Sequence, residues 1–92
     1  MLGGTAEARE LAAALDARGV AVITSLAGRV ANPRLPRGDV RVGGFGGPDA
    51  LAGWLVEHEI AAVVDATHPF AARISASAAR ACPAAGVPML RL

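Results

Sequence analysis

The stretch Met1-Leu2-Gly3-Gly4-Thr5-Ala6-Glu7-Ala8-Arg9 decides the fold. Two residues without a Cβ separate an apolar pair from a segment in which Ala8, Leu11, Ala12 and Leu15 recur at helical spacing. A strand, a glycine turn and a helix in that order make the phosphate-receiving start of a doubly wound α/β fold. The strand aims the turn, and the helix offers free N–H groups and the positive end of its dipole. The turn departs from G-x-G-x-x-G: counted from Gly3, Thr5 stands at the second glycine and Ala8 at the third. A plain strand-to-helix turn with Thr5 as N-cap explains the same residues without a ligand.

Working outward, Gly19 closes the first helix, and Val20-Ala21-Val22-Ile23-Thr24 is a β-branched run suited to a strand buried on both faces. Leu26 to Asp39, with two prolines and two glycines, reads as a loop. Val40-Arg41-Val42 is a short strand that leads into Gly43-Gly44-Phe45-Gly46-Gly47. A second helix then starts with Pro48 at its first position and Leu51, Trp54 and Leu55 on its apolar stripe. Ile60 to Val64 is another buried strand. A third helix is expected from Pro69, with Phe70, Ile74, Ala78 and Cys82 on one face and Gly86 at its end, followed by a strand from Val87 to Leu92. Alternating strands and helices predict an α/β, Rossmann-like parallel sheet with helices on both faces and a first strand cut short to Met1-Leu2. The expected strand order is 3-2-1-4-5, with a ligand crevice at the carboxyl ends of strands 1 and 4.

Composition narrows the partners. The 92 residues make one domain or part of one, 53% of them hydrophobic. A formal net charge of +1 carries no polyanion footprint, so neither nucleic acid nor membrane is an expected partner. No apolar stretch approaches the roughly 20 residues that span a bilayer, and no basic-then-apolar leader opens the chain. All nine basic residues are arginine, so any phosphate site must use planar guanidinium groups. Cys82 is the single cysteine and reads as a buried thiol, which excludes a disulfide or a cysteine metal site and points to a cytoplasmic chain.

Four stretches are candidates for binding. Gly4 and Thr5 lie at the glycine turn. Thr24-Ser25-Leu26-Ala27-Gly28-Arg29 comes about 20 residues after it, where NAD-preferring folds carry an acid for the adenosine ribose. Two hydroxyls and an arginine there instead suit a 2′-phosphate; a Ser/Thr turn with a solvated Arg29 is the alternative. Gly44, Phe45 and Gly46 belong to a glycine run that either admits a ligand closely or forms a surface loop, with Phe45 beside a cofactor ring or capping the sheet. Asp65-Ala66-Thr67-His68-Pro69-Phe70 ends a strand and opens a helix. Thr67 is an N-cap candidate and His68 a group able to donate to a phosphate or amide. His58, between Glu57 and Glu59 at a helix end, reads as a solvated or dipole-paired side chain.

Taken together, G-G-T-A-E-A-R from Gly3, T-S-L-A-G-R from Thr24, V-G-G-F-G-G from Val42, V-V-D-A-T-H-P-F-A from Val63 and G-V-P-M-L-R-L from Gly86 resemble the precorrin-6A reductase family of cobalamin biosynthesis. The resemblance covers essentially the whole chain. It implies NADPH-dependent reduction of a carbon–carbon double bond of precorrin-6A, a tetrapyrrole, or of its cobalt form. It also implies that Gly4 and Thr5 approach the cofactor phosphates, Ser25, Gly28 and Arg29 hold the 2′-phosphate, and Gly44, Phe45 and Gly46 line the cofactor crevice. Thr67 and His68 would then lie by the pyrophosphate or nicotinamide. No catalytic nucleophile and no metal are implied. Family members carry further apolar residues before the glycine turn and a second α/β domain after the final R-L. Residues 1–92 are therefore expected to be a single cofactor-binding domain, a fragment that needs that second domain. Other readings are a non-catalytic flavodoxin-like or other nucleotide-binding module, an inactive truncated remnant, and a reductase or epimerase half-domain of another dinucleotide-binding family. The first is disfavoured because a receiver-type module clusters acids after strand 1 and places a lysine after its last strand, and this chain has no lysine.

Overall fold

Three helices organise the described residues, and each ends by the same hydrogen-bonded device. The computed structural model describes residues 1–26, 37–67 and 71–92. Its elements are α1 (Ala6–Ala17), β1 (Ile23–Leu26), β2 (Asp39–Val42), α2 (Pro48–Glu57), β3 (Val63–Asp65), α3 (Ala72–Ala85) and β4 (Met89–Arg91). The N–H groups of Val20, Ile60 and Val87 each reach back five residues, to the carbonyls of Leu15, Leu55 and Cys82, at 3.0, 3.0 and 2.8 Å. This closure places a left-handed residue just past each helix. Gly19 and Gly86 fill two of those positions, and Glu59 takes the third at φ 53°.

The chain divides into two units, Met1–Gly44 with Ala66–His68, and Phe45–Asp65 with Pro69–Leu92. In the first, β1 and β2 pair in parallel with Ile23 opposite Asp39 and Leu26 opposite Val42. Leu2 forms a parallel bridge to Ser25 on the other side of β1. The Ser25 N–H donates to the Met1 carbonyl at 2.8 Å and the Gly3 N–H to the Ser25 carbonyl at 3.0 Å. The Ala66 N–H donates in turn to the Leu2 carbonyl at 3.0 Å. The order β2, β1, Leu2 matches the expected 3-2-1. Ala8 and Ala12 of α1 are buried with Leu2, Val22, Thr24 and Ala66. In the second unit β3 and β4 pair in parallel, Val63 opposite Met89 and Asp65 opposite Arg91. There α2 packs on α3. Leu51 and Leu55 are the buried residues of α2, and the small Ser75, Ala78, Ala81 and Cys82 are those of α3. The result is an α/β chain in which, among the described residues, β1 pairs with β2 and β3 with β4 in parallel.

Four expectations need correction, among them the last strand, expected from Val87 to Leu92, which runs from Met89 to Arg91. The strand expected at Val20–Thr24 runs from Ile23 to Leu26, and that expected at Ile60–Val64 runs from Val63 to Asp65. In both, the helix-closing turn occupies the first β-branched residues, and pairing begins only where a partner strand lies alongside. The third helix, expected from Pro69, begins at Ala72 with Ala71 as a cap lacking any side-chain hydrogen bond, so Thr67 is not its N-cap. Pro83 is accommodated inside α3, three residues before Gly86.

Candidate functional site

The first unit brings the carboxyl ends of Leu2, β1 and β2 to one edge, because the three run parallel. Gly3 follows Leu2 at a point of close approach. A Cβ there would sit 2.7 Å from the Thr24 Cγ2 and 3.5 Å from the Leu26 Cδ2, so only glycine lets the turn lie against β1. Gly4 has a different reason for lacking a side chain. Its φ is 107°, outside what L side chains adopt, and nothing lies within 4 Å of where a Cβ would stand.

Thr5 is the N-cap of α1. Its hydroxyl accepts from the Ala8 N–H at 3.1 Å and donates to the Ala66 carbonyl at 2.7 Å. This one side chain ties the glycine turn to the segment after β3, and its proton is committed to Ala66. Any contact from Thr5 to an anion is thus left to its backbone N–H. The N–H groups of Gly4, Thr5, Ala6 and Glu7 have no hydrogen-bond partner among the described residues, as the geometry of a helix start requires. These four donors and the positive end of the helix dipole stand together beside an exposed Gly4. The Glu7 carboxylate, also exposed, stands in the same first turn.

Ser25 is a strand residue, half-buried, whose backbone is used by Met1 and Gly3. Thr24 beside it is fully buried, and its hydroxyl has no hydrogen-bond partner among the described residues. The Gly43 N–H donates to the Leu26 carbonyl at 2.8 Å, which brings the turn after β2 to the end of β1. Thr67, half-buried, lies just beyond Ala66.

Gly4, Thr5, Ser25, Gly44 and Thr67 thus fall in the first unit. Phe45 and Gly46 belong to the second. There Phe45 meets Trp54 edge to face, with ring centroids 5.3 Å apart, and Trp54 stacks on His58 at 4.2 Å. The His58 Nδ1 lies 3.0 Å from the Trp54 carbonyl, the local pairing expected for a helix-end histidine. Gly28, Arg29 and His68 lie outside the described residues. Also in the second unit, Asp65 is buried, its Oδ2 4.0 Å from the Nε of the exposed Arg91.

Two residues of the edge escaped sequence reasoning. Arg41 donates from Nη1 to the Gly43 carbonyl at 2.7 Å and from Nη2 to the Gly44 carbonyl at 3.1 Å. The only sequence signal for it is an arginine two places before a glycine run. The Ala66 carbonyl, which anchors Thr5, has none, since any residue supplies a carbonyl. Among the described residues no group of histidine, cysteine and carboxylate side chains is arranged to hold a metal, and no helix is long and apolar enough to cross a membrane.

The profile of the precorrin-6x reductase CbiJ/CobK family matches residues 1–92. Precorrin-6A reductase of Rhodococcus erythropolis is 59% identical over 93 residues, covering 100% of this chain and 38% of the relative. Precorrin-6A reductase of Mycobacterium tuberculosis (strain ATCC 25618 / H37Rv) is 59% identical over 92 residues, 100% of this chain and 37% of the relative. Cobalt-precorrin-6A reductase of Salmonella typhimurium is 38% identical over 94 residues, 99% and 35% respectively. A solved structure of CobK precorrin-6A reductase superposes with a TM-score of 0.93 at 43% identity, covering 99% of this chain and 36% of that one. The chain spans little more than a third of the length of the relatives it matches.

Proposed function

The chain belongs to the precorrin-6x reductase family, and from that premise we propose that it forms the cofactor-binding part of an NADPH-dependent reductase acting on a carbon–carbon double bond of precorrin-6A or its cobalt form. The observation that carries the proposal is the glycine turn. Gly4, at φ 107° with open space around it, precedes a 12-residue helix whose first N–H groups have no partner among the described residues. A pyrophosphate fits such a turn, because backbone donors and the dipole meet its charge and no Cβ stands in its way. Thr5 keeps the turn in register by holding both Ala8 and Ala66.

At the end of β1 the residues Thr24-Ser25-Leu26 include no carboxylate, which supports NADPH over NADH. Ser25, with Gly28 and Arg29, is assigned to the adenosine 2′-phosphate. Gly44, Phe45 and Gly46 are assigned to the walls of the cofactor crevice, and Thr67 and His68 to the pyrophosphate or nicotinamide. A bound reduced nicotinamide supplies the hydride. The task of this chain's residues is to hold the cofactor in one orientation and keep water from it. The macrocycle is assigned to the remainder of a full-length protein, and the working compartment to the cytoplasm.

The test is calorimetric titration of the 92-residue chain with NADPH and NADH, together with anaerobic NADPH oxidation in the presence of precorrin-6A. Tighter NADPH binding with little or no turnover, beside rapid turnover by the full-length Rhodococcus relative, is the expected result. Equal or stronger NADH binding refutes the cofactor assignment. Comparable turnover by both proteins refutes the division of labour.

A further inference from the structure

Building on the proposal of NADPH as cofactor, we infer that Arg41 is a specificity-determining residue for a phosphomonoester on the adenosine ribose, acting with Ser25 from the neighbouring strand. The two residues are register partners in the β1–β2 ladder, and partners in a parallel pair project to the same face of the sheet. Arg41 does not lie back toward Asp39 at the start of β2. Its guanidinium reaches forward past the end of the strand and donates to the Gly43 and Gly44 carbonyls at 2.7 and 3.1 Å.

Two carbonyls of a tight turn thus fix a planar cation at the carboxyl edge, next to the strand end that carries Ser25. This edge is where a nucleotide resting its 5′-phosphate on the glycine turn lays its ribose: one strand spacing, about 4.8 Å, separates Leu2 from β1, and another separates β1 from β2. A guanidinium held in place before the ligand arrives loses little further freedom on binding, and its charge favours a dianionic phosphate over a neutral hydroxyl. Arg41 is half-buried, with its Nη2 contact at the exposed side, so the group is accessible from solvent.

The experiment compares two probes on the 92-residue chain by calorimetry. Adenosine 2′,5′-bisphosphate carries the extra phosphate and adenosine 5′-monophosphate does not. Wild type is expected to prefer the bisphosphate. Arg41→Gln should weaken the bisphosphate by about 10- to 100-fold while leaving the monophosphate within about twofold, the loss of one charge-assisted pair. Arg41→Lys, which keeps the charge but not the fork, should retain part of the preference. Equal losses on both probes mean that Arg41 only shapes the turn, and unchanged binding of both means that it lies off the site; either overturns the inference and leaves the NADPH proposal standing. A wild-type chain without preference for the bisphosphate overturns both. Should the variants fail to fold, the Arg41 Nε–H resonance of the ¹⁵N-labelled wild-type chain decides: it should move with the bisphosphate and not with the monophosphate, and a resonance still under both refutes the inference.

Discussion

Gly3→Ala tests whether the glycine turn is set by packing against β1. A Cβ at Gly3 would stand 2.7 Å from the Thr24 Cγ2, well inside van der Waals contact, and 3.7 Å from the Ala8 Cβ, an ordinary contact. Thr24 is buried and β-branched, so its methyl has few rotamers to escape into. Overpacking of this kind costs about 1–3 kcal/mol. The clash is with one methyl group, which Thr24→Ser removes while retaining the hydroxyl. Thr24→Ser alone should cost about 1 kcal/mol for the buried methyl and the small void it leaves. In the double variant the new alanine methyl occupies that void, so Gly3→Ala/Thr24→Ser should be more stable than the sum of the single effects by about 1–3 kcal/mol. Urea unfolding followed by far-ultraviolet circular dichroism gives all four stabilities. Additivity within about 0.5 kcal/mol would show that Gly3 is required for some reason other than contact with Thr24, and the packing account of the turn would fall.

Four further outcomes are expected. Thr24→Val replaces a buried hydroxyl that has no partner among the described residues by a methyl of similar shape, and should raise the unfolding free energy from urea titration by up to about 1 kcal/mol; a loss would reveal a partner for the hydroxyl. Glu59→Gly puts glycine at the left-handed position that ends α2 (φ 53°) and should stabilise by about 0.5–1 kcal/mol in the same assay, with no gain arguing against strain there. Burial raises the Cys82 thiol above its ordinary value, so the unfolded chain loses that proton first as pH rises. Stability should therefore fall from the ordinary thiol range upward, Cys82→Ala should remove this alkaline slope, and Ellman's reagent should label the folded chain far more slowly than the urea-unfolded one. Arg29→Ala should weaken NADPH by about 1.5–3 kcal/mol and leave NADH nearly unchanged in calorimetric titration; equal losses would remove Arg29 from the 2′-phosphate.

Much of this chain was legible in its residues, for physical reasons that act locally. The stripe Ala8, Leu11, Ala12, Leu15 and the pair Leu51, Leu55 mark helix faces through their spacing alone, and Pro48 and Gly86 mark a start and a stop through backbone geometry. Strand limits were less legible. Val20 to Val22 have the composition of a strand, yet Val20 is engaged in closing α1 and remains exposed, while Leu26, which looked like loop, is drawn with Ser25 into β1 beside β2. A strand exists only where another backbone lies beside it, and no single stretch of sequence records where that is.

The same division holds at the candidate site. Sequence by itself determined the alternating α/β plan, the glycine turn before α1, the family resemblance and the want of an acid at the end of β1. These depend on residue type, order and spacing. Only the tertiary structure decided that Gly3 is needed against Thr24 and Gly4 for its backbone, that the Thr5 hydroxyl, an N-cap by sequence, commits its proton to Ala66, and that Arg41 grips the turn at Gly43 and Gly44. Thr5 and Ala66 are 61 positions apart in sequence, and their bond at 2.7 Å forms where the Ala66 N–H donates to the Leu2 carbonyl at 3.0 Å and so holds the glycine turn beside that residue. Contacts of that kind join groups, such as a carbonyl or a lone arginine, that look the same at every position in a sequence, so only the folded backbone gives them partners.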